Sequence, residues 1–315
     1  MSNQTLTKLF TPPLWEYDKK KVNVLKAVLA VVIILHHIYN EGYYDLAFIG
    51  SKGGNIAMYL FFAMSGYGLT ISYIRKQSYI EGFLQRSLTK LFVPYVLALT
   101  AFVVYRQIEG IDQVALFKEK GLFSFVPTSW FIWVLSYFYI FFFVSFRYVK
   151  SGNLTKVLVT CALVMAYVLI APHVGIGPHR YSRCPAFCAG MFFALYDGAI
   201  RTKFIRWHAL VSMLVLMAFF FQPHGHRLDP VLYPVALFAL MYLIKDVKEC
   251  GAVKFLSSIS MEMFIIQYLP ISVAVNDLHL TNTIAVVAFV LSADILIAYM
   301  MHISVKNIQR ILPWK

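Results

Sequence analysis

The sequence predicts an all-α integral membrane protein of about ten transmembrane helices, with the N-terminus and the C-terminus in the cytoplasm. Of its 315 residues, 60% are hydrophobic and only 14% are charged. Soluble globular chains contain roughly 45–50% apolar and about 25% charged residues. The apolar excess is too large for one water-soluble core, so most of the chain is expected to have lipid as its solvent.

Apolar runs recur along the whole chain, and most approach the length of about 20 residues that a helix needs to cross a bilayer. The first run is not followed by a cleavage site of small residues, so it is expected to remain as a span rather than be removed as a signal peptide. The predicted spans are residues 22–40, 56–74, 91–106, 130–149, 156–172, 184–199, 207–222, 230–245, 255–275 and 283–305.

The distribution of basic residues predicts the same topology independently. With the N-terminus inside and alternating spans, 21 of the 28 Lys and Arg residues fall in inside segments and seven fall outside. Cytoplasmic loops carry such an excess, and an odd number of spans would destroy the pattern. We therefore expect a cytoplasmic arm at residues 1–21, a single membrane domain at residues 22–305 and a cytoplasmic tail at residues 306–315.

Charge, cysteines and motifs exclude several classes of function. The net charge of +13 would suggest nucleic acid as the partner of a soluble protein, but here the charge lies in predicted cytoplasmic loops beside the lipid bilayer. The four cysteines form no C-x-x-C pair and no zinc-like spacing, so neither a disulfide framework nor a metal site is expected. No G-x-S-x-G, glycine-rich phosphate loop or H-E-x-x-H string supports a soluble-type hydrolase.

The first predicted span, VNVLKAVLAVVIILHHIYN, contains ionisable side chains, which are costly inside a membrane and are functional candidates. Lys26 and His37 are eleven residues apart, so in a helix they project from one face about 16 Å apart. His36 lies about 80° from Lys26 and is expected to point elsewhere. Imidazole suits general base catalysis near neutral pH. The structural alternatives are a water-satisfied interfacial histidine and a lysine that extends to the cytoplasmic interface.

Other spans also contain polar residues. Ser65 and Gly66 are small enough to let two helix backbones approach closely, which predicts a packing role. Asp294 lies in the middle of the last span and is not expected to face lipid. Residues 77–90 predict an amphipathic cytoplasmic helix that leads into the third span.

Six strings along the chain form a recognisable set. They are LKAVLAVVIILHH with Lys26 and His37, FFAMSGYGL with Ser65 and Tyr67, FLQRSLTKLFVPY with Arg86, Lys90 and Pro94, WFIWVLSYFYIFF from Trp130, RCPAFCAGMFFA from Arg183, and LSSISMEMFIIQYLP. In this order they resemble the membrane acyltransferase-3 family of bacterial O-acyltransferases that modify cell-surface glycans. Lys26 stands at the arginine and His37 at the histidine of that family's first-span pattern.

The sequence departs from the family pattern at several positions. Lys26 replaces an arginine, and lysine lacks the bidentate fork of a guanidinium. The R-x-x-R string of many members becomes Arg86 with Lys90, four residues apart, and Gln267 stands where histidine is usual. Leu135 and Ser136 occupy the positions of an acidic motif in the fourth span, which is similar to the shorter branch without an attached extracytoplasmic domain.

The resemblance implies an enzyme of the inner (cytoplasmic) membrane that transfers an acyl group from acyl-CoA, with acetyl-CoA as the expected donor. The acceptor would be a hydroxyl of a surface polysaccharide or of a lipid-linked sugar. By resemblance, His37 is the general base, the CoA phosphates contact Lys26, Arg86 and Lys90, and the substrate cavity is lined by Ser65, Tyr67, Trp130 and Arg183.

Two other functions remain open at this stage. A proton-coupled transporter or exporter would use Lys26, His37 and Asp294 as a proton relay, although no internal repeat is visible. A non-catalytic partner of a glycan-synthesis complex would not need His37 for its function.

Overall fold

The computed structural model describes residues 13–120, 125–197, 229–243 and 247–311. Within these ranges the regular elements are all helices, which confirms the predicted all-α class. In chain order the α-helices are α1 (Pro13–Asn40), α2 (Ala47–Arg75), α3 (Phe83–Ile108), α4 (Gln113–Lys120), α5 (Ser129–Tyr148), α6 (Asn153–Ile170), α7 (Pro185–Leu195), α8 (Asp229–Leu243), α9 (Gly251–Ile266), α10 (Tyr268–Ser272) and α11 (Thr283–Ile311).

Six of these helices are long and apolar enough to cross a membrane: α1, α2, α3, α5, α6 and α11. A seventh crossing is reached if α9 and the segment Tyr268–Asp277 form one span, which is bent by 54°. Nine of the ten predicted spans coincide with helices, of which α7 and α8 are shorter than a full crossing. The predicted span 207–222 lies outside the described residues, so the count of ten stays a prediction.

Helix α2 is the centre of the bundle, and it packs most extensively against α7 and α1. Helix α9 packs against α1 and α11. Of the spanning helices, α2 is the most buried, whereas α3, α6 and α11 are the least. The outer helices expose large apolar side chains such as Val96, Leu158 and Leu296. Exposed apolar surface of this extent is expected for helices that contact lipid. Helix α2 lies inside this outer layer, where it and its neighbours can form an internal site.

The contact between α2 and α7 depends on two glycines. A Cβ atom at Gly66 would collide with the backbone carbonyl of Phe187, and one at Gly190 would collide with that of Ala63. Small residues permit this close approach of membrane helices. The packing role predicted for the Ser65–Gly66 pair is therefore confirmed for Gly66.

The helix predicted at residues 77–90 is confirmed only in its second half. Residues 83–90 are the first turns of α3 and lead into the third predicted span, whereas residues Gln77–Ile80 form a short 3₁₀ turn. Gly82 separates the two with φ +61°, a left-handed conformation that glycine adopts without steric cost. Arg86 and Lys90 therefore lie on the helix that continues as the third predicted span.

Candidate active site

A cavity of about 260 Å³ lies at the end of the bundle where α1 ends, here called the His37 end. Its walls come from five helices, α1, α2, α5, α9 and α10, and from the segments that precede α5 and α7. Such a volume is close to the lower limit of typical ligand pockets. The lining residues are Ile33, His36, His37, Gly54, Asn55, Met58, Pro127, Thr128, Trp130, His179, Arg183, Phe264 and Tyr268.

His37 is half-buried in this cavity, and its orientation is fixed by Tyr268. The Tyr268 hydroxyl and His37 Nδ1 are hydrogen-bonded at 2.7 Å, and the two ring centroids are 4.6 Å apart. Tyr268 begins α10 at the bend that follows α9. The bend thus brings the tyrosine across to α1 and leaves Nε2 as the other reactive position of the imidazole.

His36 lines the same cavity, contrary to the expectation that it points elsewhere. The His36 and His37 ring centroids are 5.2 Å apart. Asn40 Nδ2 donates to His36 Nε2 at 3.2 Å, so Nδ1 of His36 carries the proton and donates to the Gly50 carbonyl. Both ring nitrogens of His36 are hydrogen-bonded, so His36 is suited to positioning its neighbours. Among the described residues, only Nδ1 of His37 has a hydrogen-bond partner.

A glycine on α2 makes room for these histidines. A Cβ atom at Gly54 would overlap the His36 imidazole, and one at Gly53 would overlap the Val32 side chain. The string GSKGGN is therefore the sequence signal that α1 and α2 meet closely at the His37 end. This signal could have indicated the position of His36 before the structure was known.

Arg183 enters the cavity from the segment between α6 and α7. Its guanidinium donates to Asn55 Oδ1 on α2 and, from Nη1, to the His179 carbonyl at 2.9 Å. His179 lies edge-on to Trp130 with ring centroids 5.6 Å apart. Burial and the charges of Arg180 and Arg183 lower the pKa of His179 below its ordinary value, so its imidazole is neutral at neutral pH.

Two other predicted site residues lie away from this cavity. Ser65 is about 16 Å along α2 from Gly54, and its hydroxyl is 3.5 Å from the Tyr139 hydroxyl. The Tyr67 hydroxyl donates to Asp197 Oδ1 at 3.2 Å. Neither residue lines the cavity, whereas Trp130 and Arg183 do.

The predicted cation site lies at the opposite end of α1, here called the Lys26 end. Lys26 is half-buried and lies close enough to Lys90 for their positive charges to interact. Arg86 is exposed at the same end and donates from Nη2 to the Tyr79 carbonyl at 2.9 Å. Lys26 has no hydrogen bond or ion pair within the part of the chain that the structure describes, so its ammonium is available to an anionic ligand.

Other buried ionisable groups lie in α9 and α11. Glu262 Oε1 and His302 Nδ1 are 2.8 Å apart. Asp294 is fully buried, and neither of its oxygens has a hydrogen-bond partner among the described residues. No contact in these ranges links Asp294 to Lys26 or His37, the other residues of the alternative proton relay.

Sequence reasoning missed Tyr268 and assigned no role to Asn55 or His179. Gln267, at the position where the family usually has histidine, is buried and donates to the Phe264 carbonyl of its own helix at 2.8 Å. The next residue, Tyr268, contacts His37 instead. No local sequence pattern predicts this contact, because the contact depends on the bend after α9.

The apolar helices and the histidine-bearing cavity define a multi-pass membrane protein with an internal polar site. Residues 19–303 match the family model described as the acyltransferase domain of acyltransferase-3. The chain therefore belongs to the acyltransferase-3 family and is a membrane acyltransferase. No curated protein and no solved structure matches it.

Proposed function

We propose that this acyltransferase uses acyl-CoA, with acetyl-CoA as the first candidate, to acylate a hydroxyl of a surface polysaccharide or of a lipid-linked sugar. The observation that carries the proposal is the His37 imidazole, held by Tyr268 in a cavity of ligand size. Lys26, which has no ion-pair partner among the described residues, lies at the other end of the same helix and supports a donor that carries phosphates. The proposed location is the inner (cytoplasmic) membrane, with both chain ends in the cytoplasm.

The proposed chemistry needs one base, because a sugar hydroxyl is a poor nucleophile until its proton is removed. In the productive tautomer, His37 Nδ1–H donates to the Tyr268 oxygen and Nε2 accepts the proton of the acceptor hydroxyl. The hydroxyl oxygen attacks the thioester carbonyl, so a C–O bond forms as the C–S bond breaks. The proton then passes from His37 to the departing CoA thiolate, which leaves the imidazole neutral for the next cycle.

The donor is proposed to enter from the Lys26 end. Lys26, Lys90 and Arg86 offer ammonium and guanidinium groups to the CoA phosphates. Lys26 and His37 are about 16 Å apart along α1, the distance that the pantetheine arm has to cover to bring the thioester to His37. Lys26 and His37 thus belong to one helix, and Arg86 and Lys90 lie at the start of α3.

The function is tested by removing the chain from its host cell and measuring the mass of the surface glycan. We expect each repeating unit to lose one acyl group, which for an acetyl group is a mass decrease of roughly 42 Da (C₂H₂O). Restoring the wild-type chain should restore this mass. The purified protein in proteoliposomes should transfer radiolabel from acetyl-CoA to that glycan. An unchanged glycan mass together with no labelling would contradict the proposal.

The cation site predicts a defect in donor binding. Replacing both Lys26 and Lys90 with alanine should raise the KM for acyl-CoA at least about tenfold, because each charge-assisted contact is worth roughly 1.5–3 kcal/mol. The effect should shrink at high salt, which screens exposed charges. Initial rates against acyl-CoA concentration measure it.

The matched control is Lys76→Ala, which removes an exposed cation at the same end of the bundle. Its KM should equal that of the wild type. If the double variant behaves like this control, the donor phosphates bind elsewhere.

A further inference from the structure

The Arg183 guanidinium has no negatively charged partner in the cavity among the residues that the structure describes. Both of its hydrogen-bond acceptors, the Asn55 amide oxygen and the His179 carbonyl, are uncharged. Its other electrostatic neighbours are the Tyr59 hydroxyl and the Cys184 thiol, and burial lowers the pKa of Arg183 from its ordinary value. A guanidinium has five N–H donors, so donors remain for a ligand.

The described part of the cavity wall carries no compensating carboxylate. Among the described lining residues, the ionisable groups are Arg183, His36, His37, His179 and Tyr268, without Asp or Glu. The Glu41 carboxylate interacts electrostatically with the Tyr268 hydroxyl, but Glu41 is exposed and does not line the cavity. Asp229 is buried, and its carboxylate interacts electrostatically with the Tyr59 hydroxyl rather than forming an ion pair with Arg183. The cavity wall therefore has a positive excess.

The position of the charge is unusual for this chain. Only seven of the 28 Lys and Arg residues fall in predicted outside segments, and two of these, Arg180 and Arg183, lie within four residues of each other, with Arg183 lining the cavity. Positive charge is topologically favoured on the cytoplasmic side, so topology does not account for this pair. Half-burying a cation without a counter-charge costs free energy, which a bound anion would offset.

The geometry points to an acceptor that carries a carboxylate or phosphate beside the hydroxyl to be acylated, so that Arg183 binds the anion while His37 contacts the hydroxyl. This inference rests on the proposed function and names its acceptor class. A planar guanidinium matches either anion with two parallel hydrogen bonds. Trp130, which lines the same cavity, offers an apolar face to the sugar ring. The anion belongs either to an acidic sugar or to the diphosphate that links a neutral sugar to a lipid carrier.

Kinetics with matched acceptors test the inference. The acceptors are a glucuronate-containing oligosaccharide, the same oligosaccharide with its carboxyl group reduced to an alcohol, and a lipid-diphosphate-linked neutral sugar. The wild type in proteoliposomes should show a kcat/KM about tenfold to a hundredfold higher for one anionic acceptor than for the neutral one. The preferred anionic acceptor identifies the source of the charge.

Variants assign the preference to Arg183. Arg183→Gln should raise the KM for the preferred anionic acceptor and leave the neutral acceptor unaffected, while Arg183→Lys should restore part of the preference. Arg147→Gln, which removes an exposed arginine at the far end of α5, is the matched control and should keep the wild-type preference. Equal loss on all acceptors would overturn the inference and assign Arg183 to the reaction itself or to folding, which a thermal melt separates.

Direct binding keeps the inference testable without turnover. Calorimetry with glucuronate, glucose and inorganic pyrophosphate should show binding of an anionic probe, loss of that binding in Arg183→Gln, and no change in Arg147→Gln. Acyl transfer that ignores acceptor charge, together with equal binding of glucose and the anions, would refute the anionic acceptor but leave the acyltransferase proposal intact. Absence of transfer to every acceptor, with anion binding retained, would instead refute the O-acyltransferase function.

Discussion

His37→Ala is expected to reduce acyl transfer by roughly 10²- to 10⁴-fold, the contribution that a positioned general base makes to a rate. The variant should insert into the membrane and melt like the wild type, because His37 is half-buried at a cavity wall rather than in the apolar core. Single-turnover transfer from acetyl-CoA to glycan in proteoliposomes measures the rate. Full activity would remove His37 from the mechanism.

Two companion variants separate catalysis from packing. Tyr268→Phe keeps the ring contact with His37 but removes the 2.7 Å hydrogen bond, so kcat should fall about tenfold for the loss of roughly 1.4 kcal/mol. His173→Ala, which changes an exposed histidine outside the cavity, should leave the rate unchanged. If Tyr268→Phe equals the wild type, the tyrosine does not fix the tautomer of His37.

The second large effect is expected at the crossing of α2 and α7. Gly190→Ala should destabilise the protein by about 1–3 kcal/mol or prevent its folding, because the added Cβ would overlap the Ala63 backbone, which cannot rotate away as a side chain can. Gly66→Ala should act alike through the Phe187 backbone. Thermal unfolding of the detergent-solubilised protein measures the loss.

The matched control is Gly68→Ala on the same helix. A Cβ atom at Gly68 meets nothing within 4 Å, and alanine has the higher helix propensity, so this variant should be as stable as the wild type or slightly more stable. If Gly190→Ala unfolds at the same temperature as the Gly68→Ala control, α2 and α7 move apart more easily than their contact implies.

The helical class and the face shared by Lys26 and His37 could be predicted, because both depend on local composition and on a period of 3.6 residues. The contact between Tyr268 and His37 could not, since it joins residues 231 positions apart across a bend. The prediction for His36 was wrong because the cavity is broad enough at the end of α1 to include adjacent residues 100° apart around the helix.

Boundaries were harder to predict than classes. Gly82 permits a left-handed turn that divides residues 77–90, and hydrophobic periodicity does not show such a break. Ser65 and Tyr67 were assigned to the site by resemblance, yet their hydroxyls contact Tyr139 and Asp197 in another part of the bundle. Neither residue lines the cavity at the His37 end, so their predicted role in lining the substrate site stays a prediction.

The cavity is lined both by spanning helices and by a segment that connects two helices. The two histidines belong to a spanning helix, whereas His179 and Arg183 belong to the connection between α6 and α7. Under the proposed function, α1 carries the base and this connection carries the arginine that binds the acceptor's anion. Replacing the connection between Ile170 and Pro185 would then change acceptor preference while the base and the bundle stay the same.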